Sequence, residues 1–308
     1  MPRRELQIKV AIAIFILLAL LRNTLATLVI YVSALSLHHP QTIHGEDLIL
    51  TRSNNTQSPA PTIPLIIHTT YATRELPAHW IEARKSCTDK NPDFEHRFYT
   101  DDELLTFIDE NYKWFIIQYK SYRYNIQRVD AARYFLLYHY GGIYMDLDIG
   151  CKKRLEPLLI TAENSARDLK HIGILPQTKP VGMSNDFMAS SKNHPFFLNL
   201  IESLKKSNQY WFLPYLQVFF SAGPAFLTQK FFEYEWFLGG KDILVMGDEL
   251  YGDSKSEYMM LRHYAGNSWH GSDVPVYVFV YKHWSLLFIL GFLFAITRRR
   301  FRRILAFK

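Results

Sequence analysis

Apolar residues gather in one long run near each end of the chain and in short, regularly spaced runs between them. From Val10 to Leu37 the sequence is almost continuously apolar, broken only at Arg22-Asn23-Thr24. A helix needs roughly 20 residues to cross a bilayer, and this run exceeds that. Arg22 costs about 3 kcal/mol at mid-membrane, whereas the Leu, Ile, Val and Phe residues around it return about 6 kcal/mol, so insertion wins. Val32-Ser33-Ala34 loosely resembles a cleavage site, but the run is long for a signal peptide and reads as an uncleaved anchor. The second run, Val276 to Ile296, contains Lys282 and His283 and is followed by Arg298, Arg299, Arg300, Arg302 and Arg303. Lys282 can snorkel, and Tyr277, Tyr281 and Trp284 suit an interfacial belt. The basic stop favours a second span over an interfacial or buried helix.

Between these runs the rhythm changes. Ile63-Pro64-Leu65-Ile66-Ile67-His68 predicts a buried strand, residues 77–87 a helix, Glu95–Tyr99 a strand, and residues 101–112 a helix with acids at its positive end. Residues 125–139 predict another helix closed by Gly141-Gly142, followed by a strand over 143–147. Further strands are expected at 172–175 and 243–245, with a helix over 195–206. Alternating strands and helices argue for an α/β sandwich with a mostly parallel sheet, whose ligands bind beyond the carboxyl ends of the strands. Residues 51–61 are polar and rich in Ser, Asn and Pro, which reads as a linker.

Charge sharpens this division. The chain has 308 residues, 15% of them aromatic, and a net charge of +6. Residues 1–9 account for +2 and residues 298–308 for +6, which leaves −2 on the rest. The basicity therefore belongs to tails beside apolar runs, a membrane topology and not a nucleic-acid footprint. Both termini are expected in the cytosol. The resulting organisation is a cytosolic tail (1–9), an anchor (10–37), a luminal linker (38–61), a catalytic domain (62–273), a second membrane segment (274–297) and a basic cytosolic tail (298–308). Asn54-Asn55-Thr56 is a glycosylation sequon on the luminal side, with Asn54 as acceptor. Cys87 and Cys151 are the two cysteines, either one bridge or two separate buried thiols.

The stretch from Arg128 to Asp148 concentrates the chemistry. Asp146 and Asp148 are two apart, so on a continued strand they share one face. Carboxylates crowded in this way need a proton or a cation, and a hard divalent ion shared with phosphate oxygens is the economical partner. Isolated, such a pair is usually just two exposed strand-end acids. Here Asp130 and Arg133 precede it, three apart and so on one helix face. Asp accepts hydroxyl hydrogen bonds and Arg donates several, which suits a sugar or its phosphate. By itself that pair would be a surface ion pair worth a few tenths of a kcal/mol. Gly141-Gly142 serves equally as a helix cap or as backbone that a ligand approaches closely. The coincidence of all three in 21 residues points to a sugar-phosphate site.

This block resembles the DXD-containing sugar-binding region of retaining glycosyltransferases with a GT-A fold. It is most similar to the fungal family of initiating α-1,6-mannosyltransferases and mannosyl-inositolphosphoceramide synthases. Four further stretches resemble that family's motifs in the same order. They are residues 63–68, Ser184-Asn185-Asp186-Phe187-Met188-Ala189 with His194-Pro195-Phe196, Ser221-Ala222-Gly223-Pro224, and residues 263–270. Tyr71 stands where many members carry Trp.

The resemblance implies roles residue by residue. Asp146 and Asp148 would hold Mn²⁺ or another divalent cation, Asp146 also serving the ribose, with His263 or His270 completing the metal site. Asp130 and Arg133 would contact the donor sugar, Asn185 and Asp186 would line the sugar and acceptor side, and Trp269 would lie in a loop closing over the nucleotide. The implied activity is mannose transfer from GDP-mannose, with retention, in the Golgi membrane. The short body tethered at both ends and the aromatic stretch from Tyr210 to Phe220, read as an interfacial surface, favour inositolphosphoceramide as acceptor over a protein N-glycan. A regulatory membrane subunit is a candidate partner. A catalytically silent subunit and a metal-dependent phosphohydrolase are the rival readings. The intact acidic set argues against the first, and the lack of further spaced ligands against the second.

Overall fold

The computed structural model describes residues 41–51, 62–166, 168–178, 182–211, 213–252, 255–264 and 266. The first strand of the core, β2, runs over Ile66–Thr70 and so begins later than the apolar pattern suggests. Pro64 cannot donate to a sheet, and its carbonyl instead accepts from the Ile66 amide at 2.8 Å, which turns the chain before pairing starts. Beside β2 lie β3 (Glu95–Tyr99) and β4 (Gly142–Met145), both parallel to it.

The helices between them are α2 (Ala78–Lys90), α3 (Asp101–Asn111), the short α4 (Ile116–Ser121) and α5 (Asn125–Tyr140). The start of α3 follows from Thr100 and Glu103, which form a reciprocal capping box. Next come β5 (Ile149–Cys151), α6 (Glu156–Ser165), β6 (Gly173–Pro176) and β7 (Phe187–Ser190). The later elements are α7 (Pro195–Ser207), α8 (Pro214–Ser221), α9 (Pro224–Leu238), β8 (Ile243–Met246) and β9 (Leu261–His263).

One short strand falls in the stretch 38–61 expected as linker. Thr42–Ile43 (β1) pairs in parallel with β8 and forms an edge of the main sheet, and α1 (Gly45–Thr51) follows it. The sheet order is β1-β8-β6-β7-β4-β2-β3, with β7 antiparallel to both neighbours. The sheet is therefore mostly parallel, and it has an apolar core on each face. One core gathers Phe135, Leu136, Phe196, Leu200 and Phe231; the other gathers Ile67, Ile143, Leu158, Ile174 and Leu244. In the second core Cys87 and Cys151 form a disulfide that joins α2 to β5, which resolves the open choice at these two residues.

The chain divides into a main unit over 1–209 and 218–266 and a smaller one over 210–217 and 267–308. In the stretch expected to be interfacial, Tyr210 is exposed while Gln217 and Val218 are buried. The two apolar runs at 10–37 and 276–296, together with Asn54, Trp269 and His270, lie outside the described residues. Among the described residues no helix is long and apolar enough to cross a membrane.

Candidate active site

The direction of β7 assembles the site. β4 ends at Met145 and β7 begins opposite it at Phe187, so the residues just after β4 meet those just before β7. The Asp146 amide donates to the Asp186 carbonyl at 2.8 Å, and the Ile149 amide then folds back to the Asp146 carbonyl at 3.1 Å. Asp146 and Asp148 thus sit in a turn beyond the strand. The expected strand over 143–147 stops early because the Asp146 amide leaves the ladder for the Asp186 carbonyl.

Helix α5 returns antiparallel to β4 and brings Asp130 and Arg133 under this turn. Arg133 is almost wholly buried, and its guanidinium lies 2.9 Å from the Asp130 carboxylate and 3.4 Å from that of Asp146. It also donates to the Asn185 carbonyl at 2.6 Å and stacks 4.6 Å over the Tyr144 ring. The i,i+3 pair is therefore no surface ion pair but the buried cation of the site. Asn185 donates to Asp130 at 3.1 Å, and the Tyr144 hydroxyl donates to Asp146 at 2.7 Å while bonded to Thr70 at 2.9 Å. Gly223 packs so closely that a Cβ there would lie 3.4 Å from the Asp130 carboxylate, which puts the Ser221–Pro224 motif at the site.

A second set centres on Asp186. The Tyr251 hydroxyl donates to its Oδ2, and His263 Nε2 lies 2.9 Å from the same oxygen. The antiparallel pairing of β5 with β9, Ile149 opposite His263, carries this histidine to the acids. With Nε2 committed to Asp186 and Tyr251, His263 is placed as a partner of the carboxylate more than as a direct metal ligand.

Electrostatics follow the crowding. Burial, assisted by the Asp148 and Asp186 charges, pushes Asp146 up to about 7 against the pull of Arg133. Burial likewise pushes Asp130 up to about 6, opposed by Arg133 and Asn185. Asp148 is raised by burial and by Asp186. Asp186 alone lies below the usual range, because the bond and charge of His263, with bonds from Ser184 and Tyr251, outweigh burial. Four acids thus face one guanidinium.

A divalent cation fits this surplus of negative charge. Asp186 Oδ1 is buried without a hydrogen-bond partner among the described residues, and Asp148 is half-buried, with its Oδ2 where a Cβ on Gly266 would lie. Among the described residues no three acidic, histidine or cysteine side chains enclose an ion on their own. An ion here would be held by one or two carboxylates and completed by phosphate oxygens. Asp148 is the best-placed holder, since Asp146 is already engaged by Arg133 and Tyr144.

The structure thus brings together Asp130, Arg133, Asp146, Asp148, Asn185, Asp186 and His263. Tyr251 and Thr70 were not legible as site residues, being far along the chain and without a motif. Tyr144 offered a signal only through its place two residues before Asp146. Gly141-Gly142 proves to be packing, at the other end of β4: a Cβ on Gly142 would lie 2.6 Å from the Ile66 carbonyl. His194 is structural too, accepting from the Phe196 amide at the start of α7.

The sequence profile of the family described as "Glycosyltransferase sugar-binding region containing DXD motif" matches residues 77–165, the stretch that holds Asp130, Arg133, Asp146 and Asp148. The chain is a glycosyltransferase. It is 39% identical over 248 residues to inositol phosphoceramide mannosyltransferase 1 of Schizosaccharomyces pombe, covering 79% of this chain and 74% of that protein. It is 35% identical to mannosyl phosphorylinositol ceramide synthase SUR1 of Saccharomyces cerevisiae, covering 95% of this chain and 72% of that one. The chain belongs to the inositol phosphoceramide mannosyltransferase family. Among solved structures, PaToxG glycosyltransferase superposes with a TM-score of 0.41 at 20% identity, over 63% of this chain and 76% of its own.

Proposed function

We propose that the chain transfers mannose from GDP-mannose to inositolphosphoceramide, with retention of configuration, as a multi-pass Golgi membrane enzyme whose catalytic body faces the lumen. The observation that carries this reading is the assembly of Asp130, Arg133, Asp146 and Asp148 in one cluster, in a chain 39% identical to a named inositol phosphoceramide mannosyltransferase. The Cys87–Cys151 disulfide supports an oxidising compartment.

Asp130 orients the donor sugar by accepting from its hydroxyls, while Arg133 and Asn185 fix the carboxylate in place. Arg133 also opposes the protonation of Asp130 and Asp146 that burial favours. Asp148, aided by Asp146, would hold Mn²⁺ or a related ion, which supplies charge stabilisation for the departing diphosphate. Asp186, with Tyr251 and His263 on one oxygen, presents the other to the substrate side. Asp146 is paired with Arg133, and Asp186 is bonded by Tyr251 and His263, which favours front-face attack over a covalent intermediate. In that step the bond from the anomeric carbon to GDP breaks and the bond to the inositol oxygen forms on the same face. The hydroxyl proton passes to the departing phosphate.

The test supplies labelled GDP-mannose and Mn²⁺ with inositolphosphoceramide beside a high-mannose glycan, using wild-type protein, Asp148→Ala and a chelator. Label entering the lipid, and lost in both controls, is the expected result. Label on the glycan alone overturns the acceptor. No transfer to either, with a candidate regulatory subunit supplied, overturns the enzymatic reading in favour of a silent subunit.

A further inference from the structure

Helix α4 is anchored on one side and open on the other. Phe115 and Tyr119 are buried and pack against Phe135 and Tyr122. The opposite side shows Ile117 at 82% exposure, with Trp114 three residues earlier at 49%. An aliphatic side chain on a rigidly held turn is not exposed for want of an anchored inner face, since that face is already filled.

Cations surround the pair. Lys113, Lys120 and Arg123 are exposed, and residues 113–123 contain no acid. Lys205, at the end of α7, holds its ammonium 4.2 Å over the Trp114 ring, with exposed Lys206 beside it. Acids are not absent nearby: Asp101, at the start of α3, acts on Tyr119 on the inner side of α4, while Glu202, one turn earlier on α7, and Asp109 and Glu110, at the end of α3, are exposed. Aromatic and aliphatic groups framed by lysines are the signature of a surface that lies in the headgroup region of an anionic bilayer.

The patch is also at the right end of the fold. Arg128, in the first turn of α5, donates to the Tyr122 carbonyl at 2.8 Å, and Asp130 follows within the next turn. Gln127 bonds Asn208 and Ser221, which draws the end of α7 to the same place. The other exposed apolar pair, Phe237 and Leu238, ends α9 about 20 Å from Gly223 by helix rise, away from Asp130.

We propose that Trp114, Ile117 and the lysines around them form a bilayer-contacting face that seats the active site against anionic lipid headgroups. Its purpose, presenting a membrane-embedded acceptor to Asp130, rests on the acceptor reading above, but the contact itself is tested without turnover. Both cysteines are consumed in the disulfide, so Ile117→Cys offers a single labelling position. The full-length variant carries an environment-sensitive fluorophore there and is reconstituted in vesicles of phosphatidylcholine with phosphatidylinositol, some lipids bearing a shallow spin label. Phe237→Cys is the reference.

The expected result is blue-shifted emission at 117, quenched at least twofold more than at 237, with the difference reduced when phosphatidylinositol is left out. Water-like, unquenched emission at 117 overturns the proposal. Shielding that persists without anionic lipid and without spin quenching also overturns it, because a protein partner then covers the face. A second variant, Ile117→Asp, is expected to raise KM for vesicle-borne inositolphosphoceramide about tenfold and to leave GDP-mannose hydrolysis unchanged. Quenching at 117 in a protein that does not mannosylate that lipid would uphold the membrane face and overturn only the acceptor.

Discussion

Arg133 is where stability and catalysis are most tightly joined. Replacing it by Met keeps volume and helix propensity while removing the buried cation. At an effective dielectric of about 20, the pairs at 2.9 Å and 3.4 Å attract by about 6 and about 5 kcal/mol. Desolvation of the guanidinium offsets much of this, and the net loss on breaking such a buried set is about 3–5 kcal/mol. For a chain of this size that lowers Tm by about 10 °C.

The sign of the pH dependence follows from the acids left behind. Burial already pushes Asp130 and Asp146 above the usual range, with Arg133 pulling against it. Without Arg133 they rise further, so the folded variant holds protons that the unfolded chain releases. A raised folded pKa confers stability that is lost as pH rises, and the variant's deficit should be about 2 kcal/mol larger at pH 8 than at pH 6. Thermal unfolding of both proteins with chelator at the two pH values measures this. Adding Asp130→Asn to Arg133→Met should recover part of the stability and none of the transfer. A deficit independent of pH, or a double variant no more stable than the single, would refute the account of a buried cation neutralising two acids.

Tyr251→Phe removes one of the donors to Asp186, which His263 and Ser184 also serve, and transfer should fall about tenfold, with the acid limb of the rate–pH profile moving up by about one unit. His68 is buried, bonded to the Gly141 carbonyl, and held down to about 4 by burial. Its lowered folded pKa gives stability that is complete above about 6.5 and lost as pH falls, to about 3 kcal/mol near pH 4; His68→Gln should flatten the slope of Tm between pH 7.5 and 5. Cys151→Ser opens a loop with a sequence separation of 64, and should cost about 4 kcal/mol in denaturant unfolding, with reductant producing the same shift in the wild type.

Much of this protein could be read locally. The acids at 101–103 with Thr100 mark the start of α3, Gly141 marks the end of α5, and Glu95–Tyr99 is a strand by pattern alone. Short-range rules suffice there, because caps and periodicity involve neighbours a few residues apart. The same holds for Asp130, Arg133, Asp146 and Asp148 as candidates, since 19 positions hold them all.

What the sequence left open depended on partners far along the chain. That Thr42–Ile43 completes the sheet is decided by β8, some two hundred residues away, and two residues carry no strand pattern of their own. That Arg133 is the buried cation of an active site, when the same spacing also describes a surface pair, is decided by β7 turning antiparallel and placing Asn185 over it. His263 reaches Asp186 because β9 pairs with β5, and Tyr251 reaches it from the turn that follows β8. The sequence determined which groups were available and which elements would carry them. Tertiary structure decided which were desolvated together, and desolvation is what turns separate acids and one arginine into a site.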